Sequence, residues 1–183
     1  MSGSKRLSQA ISEGDGISFI ASVDGPDAAR AAEREGAKAV LVHTADRAAI
    51  ETVAAATSLP VLLYFADEEA DAVPGVDAGV VHGDVDWLER AHAALANELE
   101  LAIRVDDDEE LEEVLERFDP EILVLTSGRG RNERLAHVLA LLSDVPAGKL
   151  AIAELDDIDQ GAIDELERAG CDAVLFGAPA AAG

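Results

Sequence analysis

Eight short apolar runs recur along the chain, and they constrain its fold more than any other feature. The runs are rich in Val, Ile and Leu, and their apolar character is nearly continuous. This pattern is typical of strands that are buried on both faces of a parallel sheet. The eight runs are Ile17–Val23, Lys38–His43, Pro60–Phe65, Ala78–His82, Leu99–Val105, Glu121–Thr126, Lys149–Glu154 and Ala173–Gly177.

The segments between these runs show the spacing of amphipathic helices. Glu109–Phe118, for example, places its apolar residues on one face and carboxylates on the other. A Gly followed by a buried strand recurs in GAKAVLV, GVDAGVV and GCDAVLF, and we interpret each Gly as a helix end. The predicted helical segments are Ala28–Gly36, Trp87–Glu98, Glu109–Phe118 and Ile163–Gly170.

Alternating strands and helices predict a compact (β/α)8 TIM barrel with short loops. Residues 1–183 form one domain in this interpretation, and residues 1–14 form a short helix or cap before the first strand. Only Ala178–Gly183 follows the eighth strand, which predicts a truncated last helix. A doubly wound open sheet is the alternative, although no G-x-G-x-x-G turn follows the first strand.

The charge of the chain excludes several classes of partner. Its 38 acidic and 14 basic residues give a net charge of −24, so we expect no binding to nucleic acid or to an anionic membrane. A hydrophobic content of 49% excludes general disorder. No apolar run is long enough to span a bilayer, and Met1–Ser12 lacks a secretory signal. The single Cys171 excludes an internal disulfide, and we expect a soluble, cytoplasmic domain.

The residue composition that makes the chain acidic also indicates the solvent in which the protein works. Lys is nearly absent and aromatic residues make up 3% of the chain. Because molar salt screens repulsion between like charges, this composition predicts a protein of a salt-in halophile. An ordinary acidic protein from a GC-rich genome is the alternative. The composition favours neither a monomer nor a dimer.

The chain resembles the indole-3-glycerol phosphate synthase family, one of the ribulose-phosphate-binding barrels. The resemblance rests on SEGDGISFIASVDGPDAARAAEREGAKAVLV at Ser12–Val42, LPVLLYF at Leu59–Phe65 and LELAIRVDDDEEL at Leu99–Leu111, and it continues through Ala151–Gly177. It implies a barrel whose first strand is preceded by a capping helix. It also implies ring closure and decarboxylation of a phosphorylated substrate by a Lys acid with carboxylate partners.

The catalytic positions depart from the pattern that this resemblance implies. Glu154 matches a family carboxylate, whereas Arg104 stands where the family has a Glu and Tyr64 lies in place of an Arg-Lys-Asp run. Lys38 and Lys149 stand at strand starts, so no Lys lies where the family has its acid. The resemblance therefore predicts a divergent member without the catalytic Lys.

The ends of the strands hold the candidate catalytic residues. Function in a TIM barrel lies at the C-terminal ends of the strands and in the loops after them. His43 and His82 end strands two and four, and with Glu154 they form a candidate acid/base set. We expect no metal and no cofactor there, because no dense ligand motif is present. Two further His residues, His92 and His137, lie in helical segments and are predicted to be partly exposed.

A Gly-rich loop after strand six is the candidate anion site. SGRGR supplies flexible backbone N–H groups and fixed positive charge. Surface ion pairing is the alternative role of these Arg residues. The predicted anion-binding residues are Arg104, Ser127, Gly128, Arg129, Gly130, Arg131 and Gly177.

The run Asp106–Glu116 contains eight acidic residues in eleven positions. We interpret it as a solvated helix face whose first turn suits the helix dipole. Its spacing does not match an EF-hand calcium loop.

Three functions stay open at this point. The first is a divergent synthase-like lyase or isomerase that binds a small anionic metabolite, phosphorylated or not. The second is a non-catalytic barrel that binds a metabolite or another protein. The third is retained indole-3-glycerol phosphate synthase activity, a lyase step of tryptophan biosynthesis.

Overall fold

The computed structural model describes residues 5–44, 46–66, 71–126, 131–156 and 159–176, without the side chains of residues 66, 131 and 132. Its strands are β1 (Ser18–Ser22), β2 (Ala39–Val42), β3 (Val61–Ala66), β4 (Ala78–His82), β5 (Glu100–Val105), β6 (Ile122–Leu125), β7 (Leu150–Glu154) and β8 (Ala173–Phe176). Its helices are α1 (Arg6–Ser12), α2 (Pro26–Arg34), α3 (Arg47–Ala56), α4 (Val85–Leu95), α5 (Asp108–Arg117), α6 (Arg131–Ser143) and α7 (Gln160–Arg168).

The eight strands form a closed parallel barrel, so the predicted TIM barrel is confirmed. Each strand pairs with its neighbour in sequence, and β1 pairs with β8 through Ile20 and Leu175. Each of the eight apolar runs of the sequence coincides with one of these strands, and the bounds of run and strand differ by at most one residue at either end. The doubly wound alternative is wrong, because the sheet has no open edge.

The core has two parts, separated by the sheet. Alternate residues of the strands point into the barrel, and there they pack with two residues of α1. The other residues of each strand pack outward against the helices. The inner core consists of Leu7, Ile11, Ile20, Ala39, Leu41, Leu62, Ala78, Val80, Ala102, Ile122, Val124, Ile152, Ala173 and Leu175.

The first helix packs against the N-terminal end of the barrel. Leu7 and Ile11 reach the inner core and are 0% and 3% exposed. The Glu100 side chain accepts a hydrogen bond of 2.8 Å from the Leu7 backbone N–H. Arg6 pairs with Asp77, which stands just before β4. The helix is therefore fixed to the barrel by its apolar face and by its first turn.

The connection between β3 and β4 departs from the predicted repeat. Gly75 lies in a turn, and residues 71–77 form no helix, so the helix end expected there is wrong. Gly75 has a φ of +91°, and a Cβ at this position would lie 2.9 Å from the Ala54 Cβ. The turn therefore requires Gly for its conformation and for its close approach to α3. At Gly36 and Gly170, by contrast, the predicted helix ends are confirmed.

Within the described ranges, the structure contains no helix with the length and hydropathy that crossing a membrane requires.

Shortening Leu7 to Ala tests the role of α1 as part of the inner core. We expect Leu7→Ala to lower the free energy of unfolding by about 2–5 kcal/mol, because it leaves a cavity at a fully buried site. Urea denaturation followed by circular dichroism measures this change. Gln9→Ala, on the exposed face of the same helix, should change it by less than about 0.5 kcal/mol. Equal effects of the two substitutions would show that α1 does not pack as described.

Candidate functional site

Seven strands place a polar side chain at the C-terminal end of the barrel. Each of these residues stands two positions after an inner-core residue, so it points inward at the level where the barrel opens to solvent. In the sequence, the corresponding position after Leu175 of β8 is Gly177, which lies outside the described residues. We call the set the strand-end ring; its members are Ser22, His43, Tyr64, His82, Arg104, Thr126 and Glu154.

Arg104 connects the members of the strand-end ring. Its Nε donates a hydrogen bond of 2.7 Å to the Glu154 carboxylate across the barrel opening. Its Nη2 lies 3.4 Å from the Thr126 hydroxyl, and its Nη1 lies 3.4 Å from His82 Nδ1. Asp106, just after β5, has its Oδ1 at 3.5 Å from Nη1. One short bond therefore fixes the guanidinium plane, while both terminal nitrogens make long, weak contacts.

The surroundings of Arg104 keep it charged. Burial alone would lower its pKa, since the side chain is only 20% exposed. The charge and hydrogen bond of Glu154, together with the charges of Tyr64 and Asp106, outweigh burial and raise the pKa of Arg104. The guanidinium is thus a permanent cation in a partly desolvated position.

His82 lies between Tyr64, Arg104 and Asp106. Its Nδ1 faces the Tyr64 hydroxyl at 3.5 Å and Arg104 Nη1 at 3.4 Å, and its Nε2 lies 3.6 Å from Asp106 Oδ2. Because a guanidinium nitrogen only donates, the hydrogen-bond network assigns the lone pair to Nδ1 and the proton to Nε2. His82 is therefore arranged to accept a proton on the side that faces Arg104.

His43 occupies the other side of the opening. Its Nε2 lies 3.0 Å from the Ser22 hydroxyl, and its ring centre lies 5.6 Å from that of Tyr64. Partial burial lowers the pKa of His43, the Glu154 charge opposes this change, and Arg104 adds to it. His43 and Glu154 both line a small cavity of about 60 Å³.

Asp106 is held by backbone contacts rather than by the ring alone. Its N–H donates to Glu110 Oε2 at 2.7 Å, and its carbonyl accepts a hydrogen bond of 2.7 Å from His137 Nε2. Its Oδ1 is buried without a hydrogen-bond partner among the described residues. The side chains of His82, Asp106 and Glu110 can each ligate a metal ion, and their ligand atoms lie within 4.8 Å of one another.

The structure brings most of the predicted catalytic residues together. His82 and Glu154 both contact Arg104, and His43 joins them through its position beside Tyr64. Their roles in proton transfer stay predictions. His92 and His137 lie on helices as predicted, the first exposed and the second half-buried.

Most of the predicted anion-binding residues lie outside the part of the chain that the structure describes. Ser127, Gly128, Arg129, Gly130 and Gly177 lie outside the described residues, and Arg131 begins α6 without a described side chain. The anion-binding role of this loop stays a prediction. Among the predicted anion-binding residues, Arg104 is the one whose side-chain contacts the structure describes.

Sequence reasoning missed two contributors to the site, Glu110 and His137. Glu110 belongs to the acidic run that we interpreted as a solvated face, and His137 was assigned to a helix surface. Both act on Asp106 through its backbone. The spacing of Asp106 and Glu110, one helical turn apart, was the available signal for the first; His137 had none.

Comparisons with known proteins find similar folds in a different group of barrels from the one that the sequence resembled. No family model and no curated protein matches the chain. Among solved structures, a phosphoenolpyruvate phosphomutase from Streptomyces platensis subsp. rosaceus matches with a TM-score of 0.70 at 17% identity, over 94% of this chain and 80% of that one. An oxaloacetate acetylhydrolase matches with a TM-score of 0.68 at 17% identity, over 96% and 80%. A phosphonopyruvate hydrolase in complex with oxalate and Mg++ matches with a TM-score of 0.69 at 15% identity, over 97% and 81%.

These neighbours overturn the resemblance to indole-3-glycerol phosphate synthase. They are phosphoenolpyruvate mutase and oxaloacetate acetylhydrolase barrels, a different family. The synthase-like function and its two alternatives lose their support with it. The resemblance was misleading because it rested on scaffold features, namely short buried strands and helix-ending glycines, that many (β/α)8 barrels share.

The titration of His43 tests the geometry of the strand-end ring around this side chain. Because its pKa in the folded state is lowered from 6.5, the unfolded chain binds more protons as pH falls below that value. The stability that neutral His43 contributes is complete above pH 6.5 and decreases below it, toward the folded-state pKa. We expect ring-proton NMR to give a His43 pKa below 6.5, with a small loss of unfolding free energy as the pH falls below 6.5.

His43→Gln should remove that pH-dependent loss, whereas His92→Gln on the exposed face of α4 should retain it. A His43 pKa at or above 6.5 would contradict the partial burial of the His43 imidazole.

Proposed function

We propose that the chain is an enzyme that acts on a small 2-oxo carboxylate and holds the substrate carboxylate on Arg104. The observation that carries this proposal is the state of the Arg104 guanidinium. Glu154 fixes it through Nε at 2.7 Å, while Nη1 and Nη2 keep only contacts of 3.4–3.5 Å. Two parallel N–H groups of this kind match the two oxygens of a carboxylate.

The names of the structural neighbours support the same substrate class. They act on oxaloacetate, phosphoenolpyruvate and phosphonopyruvate, and two of the solved complexes contain oxalate. Their identity to this chain, at most 17% for these structures, shows the fold alone. The proposal for this chain therefore depends on Arg104 and its surroundings, and oxalate serves as a probe for the site.

The residues around Arg104 suggest a division of roles. A carboxylate on Nη1 and Nη2 would place the adjoining carbon near His82, whose Nδ1 carries the lone pair. Because the 2-oxo carbon carries no hydrogen, His82 would take a proton from the next carbon along the substrate or from an attacking water, and the Tyr64 hydroxyl beside Nδ1 would donate to the 2-oxo oxygen. Glu154 is a positioning residue in this scheme, because it fixes the guanidinium rather than touching the substrate.

The proposal also concerns the salt concentration at which the protein works. We place the protein in a cytoplasm of high salt, on the basis of its acidic composition. Binding and turnover are therefore measured both at low salt and in molar KCl.

Replacement of Arg104 tests the proposal through oxalate binding. We expect isothermal titration to show one oxalate site per chain, and Arg104→Met to weaken it by about ten- to a hundredfold, since a hydrogen bond to a charged group contributes about 1.5–3 kcal/mol. Arg104→Lys keeps the charge beside Glu154 but loses the planar pair of donors, so an intermediate loss is expected. Arg117→Met, at an exposed position of α5, is the matched control and should bind normally.

Two results would contradict the proposal. One is a wild-type chain that binds no oxalate in either salt condition. The other is an Arg104→Lys chain that stays folded, as judged by circular dichroism, and binds as well as the control. Turnover of oxaloacetate or phosphonopyruvate, followed by NMR, then identifies the reaction that the site supports.

A further inference from the structure

We propose that His82, Asp106 and Glu110 form a binding site for a divalent transition-metal ion. They supply one imidazole nitrogen and two carboxylates, and these ligand atoms lie within 4.8 Å of one another. They come from the end of β4, the residue after β5 and the first turns of α5. The proposal does not rest on the proposed function, since it concerns binding of the metal ion alone.

The fold holds the two carboxylates together at this point. Asp107 caps α5 by accepting a hydrogen bond of 2.9 Å from the Glu110 N–H, which orients the first turn of the helix. The Glu110 carboxylate in turn accepts the Asp106 N–H at 2.7 Å. Because β4 and β5 are paired along their length, His82 is carried to the same place. The convergence therefore follows from backbone geometry and not from chance contacts of flexible side chains.

Asp106 and Glu110 differ from the other acidic residues of their run. Both are half-buried, whereas the remaining acidic residues from 107 to 116 are exposed. His82 is likewise only 26% exposed. The Asp106 Oδ1 atom is buried and has no hydrogen-bond partner among the described residues. Arg104 Nη1, at 3.5 Å, compensates the charge of this oxygen in part, but a buried carboxylate oxygen without a hydrogen-bond donor stays costly unless a closer positive partner is added.

The local charge balance is also incomplete. Glu154, Asp106 and Glu110 bring three carboxylates to this part of the opening, and Arg104 contacts those of Glu154 and Asp106. Arg104 already makes its short bond to Glu154. A divalent cation between Asp106 and Glu110 would offset the two remaining charges and give Oδ1 a partner.

The ligand set points to a particular class of cation. Ca²⁺ and Mg²⁺ prefer shells made of oxygen, whereas one imidazole with two carboxylates suits Mn²⁺, Co²⁺ or Zn²⁺. Three protein ligands also leave coordination positions open for water or another small ligand. We therefore expect Mn²⁺ to bind in the presence of excess Mg²⁺.

Binding would also change the hydrogen bonds of His82. Its Nε2 faces Asp106, so coordination through Nε2 moves the ring proton to Nδ1. The Tyr64 oxygen at 3.5 Å can accept that proton, while Arg104 Nη1 at 3.4 Å cannot. Metal binding would therefore release Nη1 from His82 and leave it available for an anion. A metal-bound His82 has no lone pair on Nδ1, so proton transfer by His82 belongs to the metal-free site only.

Electron paramagnetic resonance of Mn²⁺ tests the site without any substrate. The full chain is stripped with EDTA, dialysed and titrated with Mn²⁺ in excess Mg²⁺, which suppresses diffuse binding to the acidic surface. We expect one Mn²⁺ per chain, and a loss of affinity of at least about tenfold in Asp106→Asn, Glu110→Gln and His82→Gln. Glu113→Gln, an exposed carboxylate of the same helix, should leave the affinity unchanged.

The isosteric Glu110→Gln variant separates a ligand role from a structural one, because its amide oxygen can still accept the Asp106 N–H. Mn²⁺ should raise the melting temperature of the wild-type chain and of Glu113→Gln but not that of Glu110→Gln. The proposal is overturned if no site survives competition by Mg²⁺, or if Glu110→Gln and Glu113→Gln bind Mn²⁺ equally.

Discussion

A closed barrel of short parallel strands forces every second residue of each strand to point inward. Most of these positions lie in the inner core and are apolar, from Ile20 in β1 to Leu175 in β8. The last inward position of seven strands carries a polar side chain, and all of these except Thr126 are at least partly exposed. These seven positions form the strand-end ring, so the same alternation that packs the barrel also assembles its site.

Within that ring, electrostatics decide what a ligand must be. Arg104 is fixed by Glu154 and kept charged by its surroundings, yet the described carboxylates near it outnumber it. An anionic substrate entering alone would add to this excess. A carboxylate on Arg104 and a metal ion at Asp106 and Glu110 are therefore mutually supportive, although each can be measured by itself. The acidic character of the chain thus extends into the barrel opening.

The sequence predicted the barrel because its signal is local and repeated. Runs such as Ala78–His82 show their burial directly in composition, and the ring follows by counting two positions onward. What could not be predicted depends on contacts across long stretches of chain. The Arg104–Glu154 pair joins residues 50 positions apart, and the His137 bond to Asp106 spans 31. The resemblance to a family failed for a related reason, since it compared strands and turns that carry the fold rather than the side chains that carry the chemistry.

The central claim is that Arg104 receives a carboxylate through its two terminal nitrogens while Glu154 keeps Nε. A crystal structure of the chain soaked with oxalate tests this most directly. The expected density shows oxalate with one carboxylate on Nη1 and Nη2, and the Glu154 contact retained. Oxalate bound elsewhere, with Nη1 and Nη2 of Arg104 still facing His82, Asp106 and Thr126, would contradict it.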